Sequence, residues 1–108
     1  MNSPAPKIRS CCINQVFDDP AEFYEFVYSA LGAPDWAGKN LDALFDVLTD
    51  IVAEPIDLDW PAYHPQSQRH PEETTRIASV LFAAAAKVDS LSIRLNAKPT
   101  LDTVKKES

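Results

Sequence analysis

The chain has 108 residues, of which 45% are hydrophobic and 24% are charged, and it carries a formal net charge of -6 at pH 7. This length fits a single domain with a modest hydrophobic core. The negative charge argues against nucleic acid or an anionic membrane as a partner and favours a cationic one. No apolar run reaches the length of a membrane helix or resembles a secretory signal, so we expect a cytoplasmic protein.

The first part of the chain predicts a strand followed by a helix. Residues 7–14 contain a short β-branched and apolar run that favours a strand. Asp18 or Asp19 can cap a helix that opens at Pro20, where a missing backbone N–H costs nothing. Gly32 is a natural stop for this helix. The predicted buried stripe consists of Phe23, Phe26, Val27 and Ala30, widened by Tyr24 and Tyr28.

The two cysteines are neighbours in the predicted first strand, Cys11 and Cys12. Successive side chains of a strand point to opposite faces, so this pair is poorly placed for a disulfide. We interpret both cysteines as buried or half-buried residues of a reduced, cytoplasmic protein.

A second helix and a second strand are predicted in the middle of the chain. The helix runs from about Asn40 to Ala53 and ends before Pro55, because the residue before a proline disfavours helical conformation. Residues 55–60, PIDLDW, alternate apolar and acidic side chains, which predicts a strand exposed on one side. The predicted apolar face of the helix consists of Leu41, Leu44, Phe45, Leu48, Ile51 and Val52.

The remaining sequence predicts a loop, a helix and a strand. Residues 61–71, PAYHPQSQRHP, contain three prolines and two histidines without periodicity, which is typical of a loop. We expect a helix over 72–88 and a strand over 91–96. We expect one domain over residues 1–98 and a flexible tail over 99–108.

The predicted elements follow the order strand, helix, helix, strand, helix, strand. Parallel strands need crossover connections, which are usually helical and right-handed. The sequence therefore predicts an α/β fold in which a small three-stranded parallel sheet packs with three to four helices.

The predicted second helix carries an acid at every fourth position, and we call these residues the acidic series: Asp42, Asp46, Asp50 and Glu54. Like charges at this spacing lie above one another and are mildly destabilising. Seven acids fall between residues 35 and 59, where Lys39 is the only basic residue. A solvated helix face is the simplest interpretation. One charge sign at a regular spacing costs stability, however, and therefore favours a functional surface.

Catalytic and metal-binding interpretations have weaker support. Asp42 and Asp46 are one turn apart on an exposed face, whereas an acid–base pair usually has one carboxylate perturbed by burial. The acids lack the spacing of an EF-hand, and His64 and His70 do not match a metal-ligand spacing. Nucleotide-binding and nucleophile motifs are absent from the sequence. We therefore predict no enzymatic activity, no catalytic residue, no metal and no cofactor.

The two tryptophans have different predicted environments. Trp60 ends the predicted second strand, and we expect it in the core. Trp36 precedes the acidic helix in the loop Pro-Asp-Trp-Ala-Gly, where an exposed aromatic would suit an interface anchor. A core position is the alternative for Trp36.

Residues 31–60, LGAPDWAGKNLDALFDVLTDIVAEPIDLDW, resemble the barstar family of ribonuclease inhibitors. The shared features are a Pro-acid-aromatic loop, a helix start reading Gly-Lys-Asn-Leu-Asp-Ala-Leu-Phe-Asp, a Leu-Thr pair, and a proline that opens a strand ending in an aromatic residue. The resemblance implies a barstar-like α/β fold. It also implies a ribonuclease as the partner, bound one-to-one through the helix and the loop before it.

The resemblance further implies which residues contact the ribonuclease. Asp42 and Asp46 match the central acids of the inhibitory helix, and Trp36 matches an aromatic of the preceding loop. We hypothesise an intracellular immunity protein that blocks the active site of a basic ribonuclease or ribonuclease toxin. The alternative is a non-inhibitory interaction module that binds another cationic protein. The predicted partner-binding residues are Asp35, Trp36, Gly38, Asn40, Asp42, Phe45, Asp46, Thr49 and Asp50.

Three features depart from the family pattern, and one of them is the loop 61–71, which is rich in proline and histidine in its own way. Asp50 stands where the family often has glycine after Leu-Thr. A further interface acid on the following helix falls in the run Ala83–Ala86, so we expect that contact to be missing. Because specificity depends on peripheral contacts, these departures bear on which ribonuclease is the target.

Overall fold

The computed structural model describes residues 8–95. Within this range a three-stranded parallel sheet packs with four helices, which confirms the predicted α/β fold. The predicted domain end at 98 and the predicted tail over 99–108 lie outside the described residues. None of the helices within 8–95 is long and apolar enough to cross a lipid bilayer. The elements are β1 (Arg9–Cys12), α1 (Pro20–Leu31), α2 (Leu41–Asp46) continued by a π-helical turn (Val47–Ile51), β2 (Ile56–Trp60), α3 (Tyr63–Arg69), α4 (Pro71–Lys87) and β3 (Leu91–Leu95).

The sheet has the strand order β1-β2-β3, and one of its sides faces the hydrophobic core. Asp57 and Asp59 of β2 lie on the opposite side, which we call the outer face. There the Nη1 of Arg94 from β3 donates to Oδ1 of Asp57 at 2.8 Å. The alternation of core-facing and outward-facing residues along β2 confirms the prediction of a strand exposed on one side. The core-facing residues of β2 are Ile56, Leu58 and Trp60.

The two cysteines lie on opposite sides of the sheet. Cys11 faces the core and is 2% exposed, and this burial raises the pKa of its thiol to about 12. Cys12 is on the outer face and is exposed, so the expectation that both cysteines are at least half-buried is wrong for Cys12. Both thiols are free.

Trp60 lies at the centre of the core, with a relative exposure of 0%, as predicted. The centroid of its ring system lies 5.3 Å from that of Phe23 in α1 and 5.2 Å from that of Tyr63 in α3. This aromatic cluster joins the end of the central strand to two helices. Because aromatic rings bury a large apolar area, such a cluster contributes strongly to core stability.

The buried face of α1 is shifted from the predicted one. Phe23 and Val27 are buried as expected, but Phe26 is only half-buried and Ala30 is exposed. The reason is that both tyrosines turn into the core, which rotates the buried stripe away from Ala30. The buried residues of α1 are Phe23, Tyr24, Val27, Tyr28 and Leu31.

Residues 61–71 contain a helix, α3, so the prediction of a loop is wrong. Pro65 lies in the first turn of α3, where a backbone N–H has no helical acceptor to lose. Gln66 ties the helix to the domain and is 4% exposed. Its Oε1 accepts from the N–H of Phe17 and its Nε2 donates to the carbonyl of Phe17, each at 2.8 Å. This contact spans 49 positions, so the local sequence pattern does not reveal it.

The second helix is shorter and less regular than the predicted span of 40–53. Its α-helical part ends at Asp46, a π-helical turn continues to Ile51, and Val52 is already extended with φ -87° and ψ 114°. The buried residues of this segment are Leu44, Val47 and Leu48. Val47 was not in the predicted apolar face. The other predicted apolar residues, Leu41, Phe45, Ile51 and Val52, are partly buried against the core.

Candidate functional site

The loop between α1 and α2 is held against α1 and exposes Trp36. Gly32 ends α1 in the left-handed region, with φ 72°, which side chains other than glycine rarely adopt. The hydroxyl of Tyr28 donates to the carbonyl of Gly38 at 2.7 Å. Ala37 is buried, whereas its neighbour Trp36 is 75% exposed. The loop therefore presents an aromatic side chain on a fixed backbone, which fits the interpretation of Trp36 as exposed and not core.

Asn40 begins α2 as its N-cap. It is extended, with φ -154° and ψ 173°, and its Oδ1 accepts from the N–H of Ala43 at 2.8 Å. This bond satisfies one of the free N–H groups of the first helical turn. A Cβ at Gly38 would lie 3.0 Å from Nδ2 of Asn40, so glycine leaves room for the capping side chain. Gly38 and Asn40 thus fix where the helix starts relative to the loop.

The acids of α2 point into solvent. Asp42, Asp46 and Asp50 are all exposed. Within residues 8–95, none of the three forms an ion pair with lysine, arginine or histidine. Asp42 lies in the first turn of α2, where the helix dipole favours a negative charge. Asp46, at the end of the α-helical part, has no such compensation.

The four residues of the acidic series do not all lie above one another on one helix, so the prediction of that arrangement is wrong. The N–H of Val52 donates to the carbonyl of Val47, five residues earlier, at 3.1 Å, which is the hydrogen bond of a π-helical turn. Asp50 therefore sits in a wider turn than Asp42 and Asp46. Glu54 lies beyond the helix and accepts from Nε of Arg9 at 3.3 Å. Glu54 thus connects the end of this segment to β1 and is not part of the exposed acidic surface.

Phe45 and Thr49, in the same helical segment as the acids, are half-buried. The hydroxyl of Thr49 donates to the carbonyl of Phe45 at 2.8 Å, across the junction between the α-helical and π-helical parts. The ammonium of Lys87, at the end of α4, lies 5.4 Å from the centroid of the Phe45 ring. A cation at this distance from an aromatic face is attracted to it. Lys87 is not among the residues predicted from the sequence, because only the packing of α4 against α2 brings it there.

The nine predicted partner-binding residues occupy one stretch of chain, and we call the surface they form the candidate surface. Seven are exposed: Asp35, Trp36, Gly38, Asn40, Asp42, Asp46 and Asp50. Phe45 and Thr49 are half-buried. Ala83 and Ala86, in the run where the resemblance implies an additional acid, are exposed and small.

His70 and Arg69 both contact the carboxylate of Asp18. His70 contacts Asp18, with 2.9 Å between Nε2 and Oδ1, and Nη2 of Arg69 contacts the other carboxylate oxygen of Asp18, also at 2.9 Å. The hydrogen bond to His70, together with the charges of His70 and Arg69, lowers the pKa of Asp18. Asp19, the other predicted cap, accepts from the N–H of Ala21 and caps α1. Over residues 8–95 there is no group of three or more His, Cys, Asp or Glu side chains that could hold a metal ion.

Fold and surface together define a class: a small α/β protein with a three-stranded parallel sheet and an exposed acidic helix beside an exposed tryptophan. Residues 12–98 match the family model described as Barstar (barnase inhibitor). This match covers most of the chain, which therefore belongs to the barstar family. The family is one of ribonuclease inhibitors and not of enzymes.

Proposed function

We propose that the chain is a cytoplasmic inhibitor that binds a basic ribonuclease one-to-one and blocks its active site with the candidate surface. The observation that carries this proposal is the exposure of the Asp42 and Asp46 carboxylates, which have no ion-pair partner among residues 8–95. The membership in a family of ribonuclease inhibitors supports it. The protein would protect a bacterial cell from its own secreted ribonuclease or from a toxin of a rival.

The chemistry of a ribonuclease explains why carboxylates suit this role. Cationic side chains at its active site bind the phosphates of RNA and stabilise the charge of the transition state. An empty active site is therefore a positively charged cleft. Carboxylates on a helix can occupy the phosphate positions, and they offer no bond that the enzyme can cleave. Long-range attraction then accelerates association, and desolvated charge pairs slow dissociation.

The cost of this arrangement to the free protein also supports the proposal. Asp42 and Asp46 are four residues apart on the same α-helix, a spacing at which like charges repel. Neither carboxylate forms an ion pair within residues 8–95, and the helix dipole favours only Asp42, so Asp46 adds repulsion to the helix without compensation at its own position. Local conflicts of this kind are typical of functional sites.

Inhibition of RNA hydrolysis tests the proposal. We would titrate the protein into barnase and a panel of related basic ribonucleases and follow cleavage of a fluorogenic RNA substrate. We expect at least one enzyme to lose activity at one equivalent of inhibitor, with inhibition competitive toward RNA. If every ribonuclease in the panel keeps full activity in the presence of excess protein, the proposed function is wrong.

The second candidate function is a non-inhibitory module that binds another cationic protein. The observations that favour it are Asp50 at a position where the family often has glycine, and the small residues Ala83 and Ala86 where a further acid is implied. Tight binding to a panel ribonuclease with its activity retained would support this alternative. An inhibitor would instead abolish the activity of the ribonuclease that it binds.

A further inference from the structure

A cleft opens between α1 and the loop that precedes α2, next to the candidate surface. Its volume is about 530 Å³. Glu25, Tyr28 and Ser29 of α1 line one wall, and Asp35 and Lys39 of the loop line the other. Asp35 belongs to the candidate surface and also lines the cleft, and Trp36 follows it directly, so the cleft and the candidate surface share a border.

The polar groups around the cleft are arranged to attract a cation. Glu25 and Asp35 contribute two carboxylates, and Asp35 forms no ion pair within residues 8–95. The cleft also adjoins the C-terminal end of α1, where the helix dipole is negative and the last turn has no basic residue. The one cation in the lining is Lys39, whose Nζ lies 3.5 Å from Oε2 of Glu25.

Two hydrogen bonds hold the walls of the cleft in the free chain. The N–H of Ala33 donates to the carbonyl of Tyr28 at 2.9 Å, which holds the loop at the end of α1. The hydroxyl of Tyr28 donates to the carbonyl of Gly38 at 2.7 Å and holds the other end of the loop. A preformed site loses less conformational entropy when a ligand binds.

We propose that this cleft receives an arginine side chain of the partner. Glu25 and Asp35 accept hydrogen bonds from its guanidinium, which displaces Lys39 from Glu25. That the partner is a ribonuclease rests on the proposed function. A planar guanidinium has several donors and can bond to two carboxylates at once, which one ammonium does less well. The Glu25–Lys39 pair is exposed, with 64% and 43% of the respective side chains accessible, so its replacement costs little. Glu25 thereby extends the predicted binding surface from the loop and α2 to α1.

Two substitutions with opposite expected effects test this proposal. We would measure the binding of N-acetyl-arginine amide by NMR, from the shifts of the amide signals of residues 32–39, in the wild type, Glu25→Gln and Lys39→Gln. Glu25→Gln should weaken binding about two- to five-fold, and Lys39→Gln should strengthen it by a similar factor, as expected for exposed charge pairs. Glu22→Gln is the matched control, because Glu22 is an exposed acid of α1 that does not line the cleft.

The opposite signs separate an arginine site from a structural ion pair. If the Glu25–Lys39 pair served only to hold the loop, both substitutions would disturb the same contact and shift the amide signals of the free protein alike. Weakened binding in both variants, or no saturable shifts in the wild type, would overturn the proposal.

Inhibition assays of the same variants separate this inference from the proposed function. They would use a ribonuclease that the wild-type protein inhibits in the panel described above. Weaker inhibition by Glu25→Gln and stronger inhibition by Lys39→Gln would support the cleft as part of the interface. If Asp42→Asn abolishes inhibition while both cleft variants inhibit like the wild type, the proposed function stands and the arginine site is refuted. If the arginine amide binds as expected but no ribonuclease is inhibited, the cleft stands as a cation site and the proposed function fails.

Discussion

The ammonium of Lys87 lies 5.4 Å from the centroid of the Phe45 ring, which places a positive charge from α4 at the border of an acidic surface. Lys87 forms no ion pair with a carboxylate within residues 8–95. It lies one residue beyond the run Ala83–Ala86, where the family resemblance implies an acid. α4 therefore contributes a positive charge to the edge of the acidic surface, whereas the resemblance implies a negative charge there.

Reversal of this charge should accelerate binding. Since Lys87 opposes a basic partner, we expect Lys87→Glu to raise the association rate with the inhibited ribonuclease several-fold at low salt, and Lys87→Met to raise it less. Stopped-flow measurements at increasing salt check this, because screening should reduce the gain. Arg76→Glu is the matched control: it makes the same charge change on α4, at an arginine that pairs with Glu72 and Glu73. Slower association of Lys87→Glu would show that Lys87 contacts an acidic group of the partner.

Gln66 should be among the most sensitive polar residues for stability. Gln66→Leu leaves the N–H and carbonyl of Phe17 without their hydrogen bonds in a buried environment. We expect a loss of about 2–4 kcal/mol in the free energy of unfolding, since each unsatisfied buried group costs about 1–3 kcal/mol. Urea denaturation measures the change, and Gln68→Leu on the exposed side of α3 is the control. Equal midpoints for the two variants would contradict the assigned role of Gln66.

The hydroxyl of Tyr28 should hold the loop that carries Trp36. Tyr28→Phe removes its bond to the carbonyl of Gly38 and should cost about 1 kcal/mol of stability. The amide protons of residues 34–39 should exchange faster in this variant while those of β2 are unchanged. Tyr63→Phe serves as a control for the loss of a tyrosine hydroxyl elsewhere in the fold. Unaltered exchange in the loop would mean that other contacts fix its position.

Alkaline pH should destabilise the protein through three buried groups that lose a proton at high pH, namely one thiol and two tyrosine hydroxyls. Burial raises the pKa of Cys11 from 9.0 to about 12, and it raises the pKa values of Tyr24 and Tyr28 from 10.0 to about 12. Because each folded-state pKa lies above the unfolded value, the folded state holds these protons more tightly. The resulting stabilisation is complete below pH 9 and is lost as the pH rises to 12.

Urea denaturation at a series of pH values measures this dependence. We expect the free energy of unfolding to fall between pH 9 and 12, and to fall less steeply above pH 10 in the double variant Tyr24→Phe/Tyr28→Phe. Identical slopes for the wild type and the double variant would show that the two tyrosines do not carry the effect.

The sequence predicted those features that depend on local chemistry. The predicted start of the second helix, at about Asn40, agrees with the structure, where Asn40 is the N-cap of α2 and acts on a backbone N–H three residues away. The alternation in residues 55–60 indicated the two sides of β2, and Trp60 followed as a core residue. The fold class then followed from the order of the elements and the rules for parallel strands.

The features that were missed depend on contacts between distant segments. α3 is held by Gln66, whose partner Phe17 belongs to the segment before α1, and the prolines of that stretch suggested a loop. Glu54 fits the four-residue spacing of the acids, yet it pairs with Arg9, 45 positions away.

The π-helical turn after Asp46 has no simple sequence signal, since Val47 and Thr49 are also compatible with an α-helix. The predicted partner-binding residues remain predictions until binding is measured.

The central claim is that the carboxylates of Asp42 and Asp46 occupy the cationic active site of a ribonuclease, and one comparison of dissociation constants tests it directly. We would compare Asp42→Asn/Asp46→Asn with Asp57→Asn/Asp59→Asn, which makes the same charge change on the outer face of the sheet. We predict that the first pair loses several kcal/mol of binding free energy, on the order of a thousandfold in Kd, as for broken desolvated ion pairs. The second pair should lose less than about tenfold, because only long-range attraction and an exposed ion pair change. Equal losses for the two double variants would contradict the account.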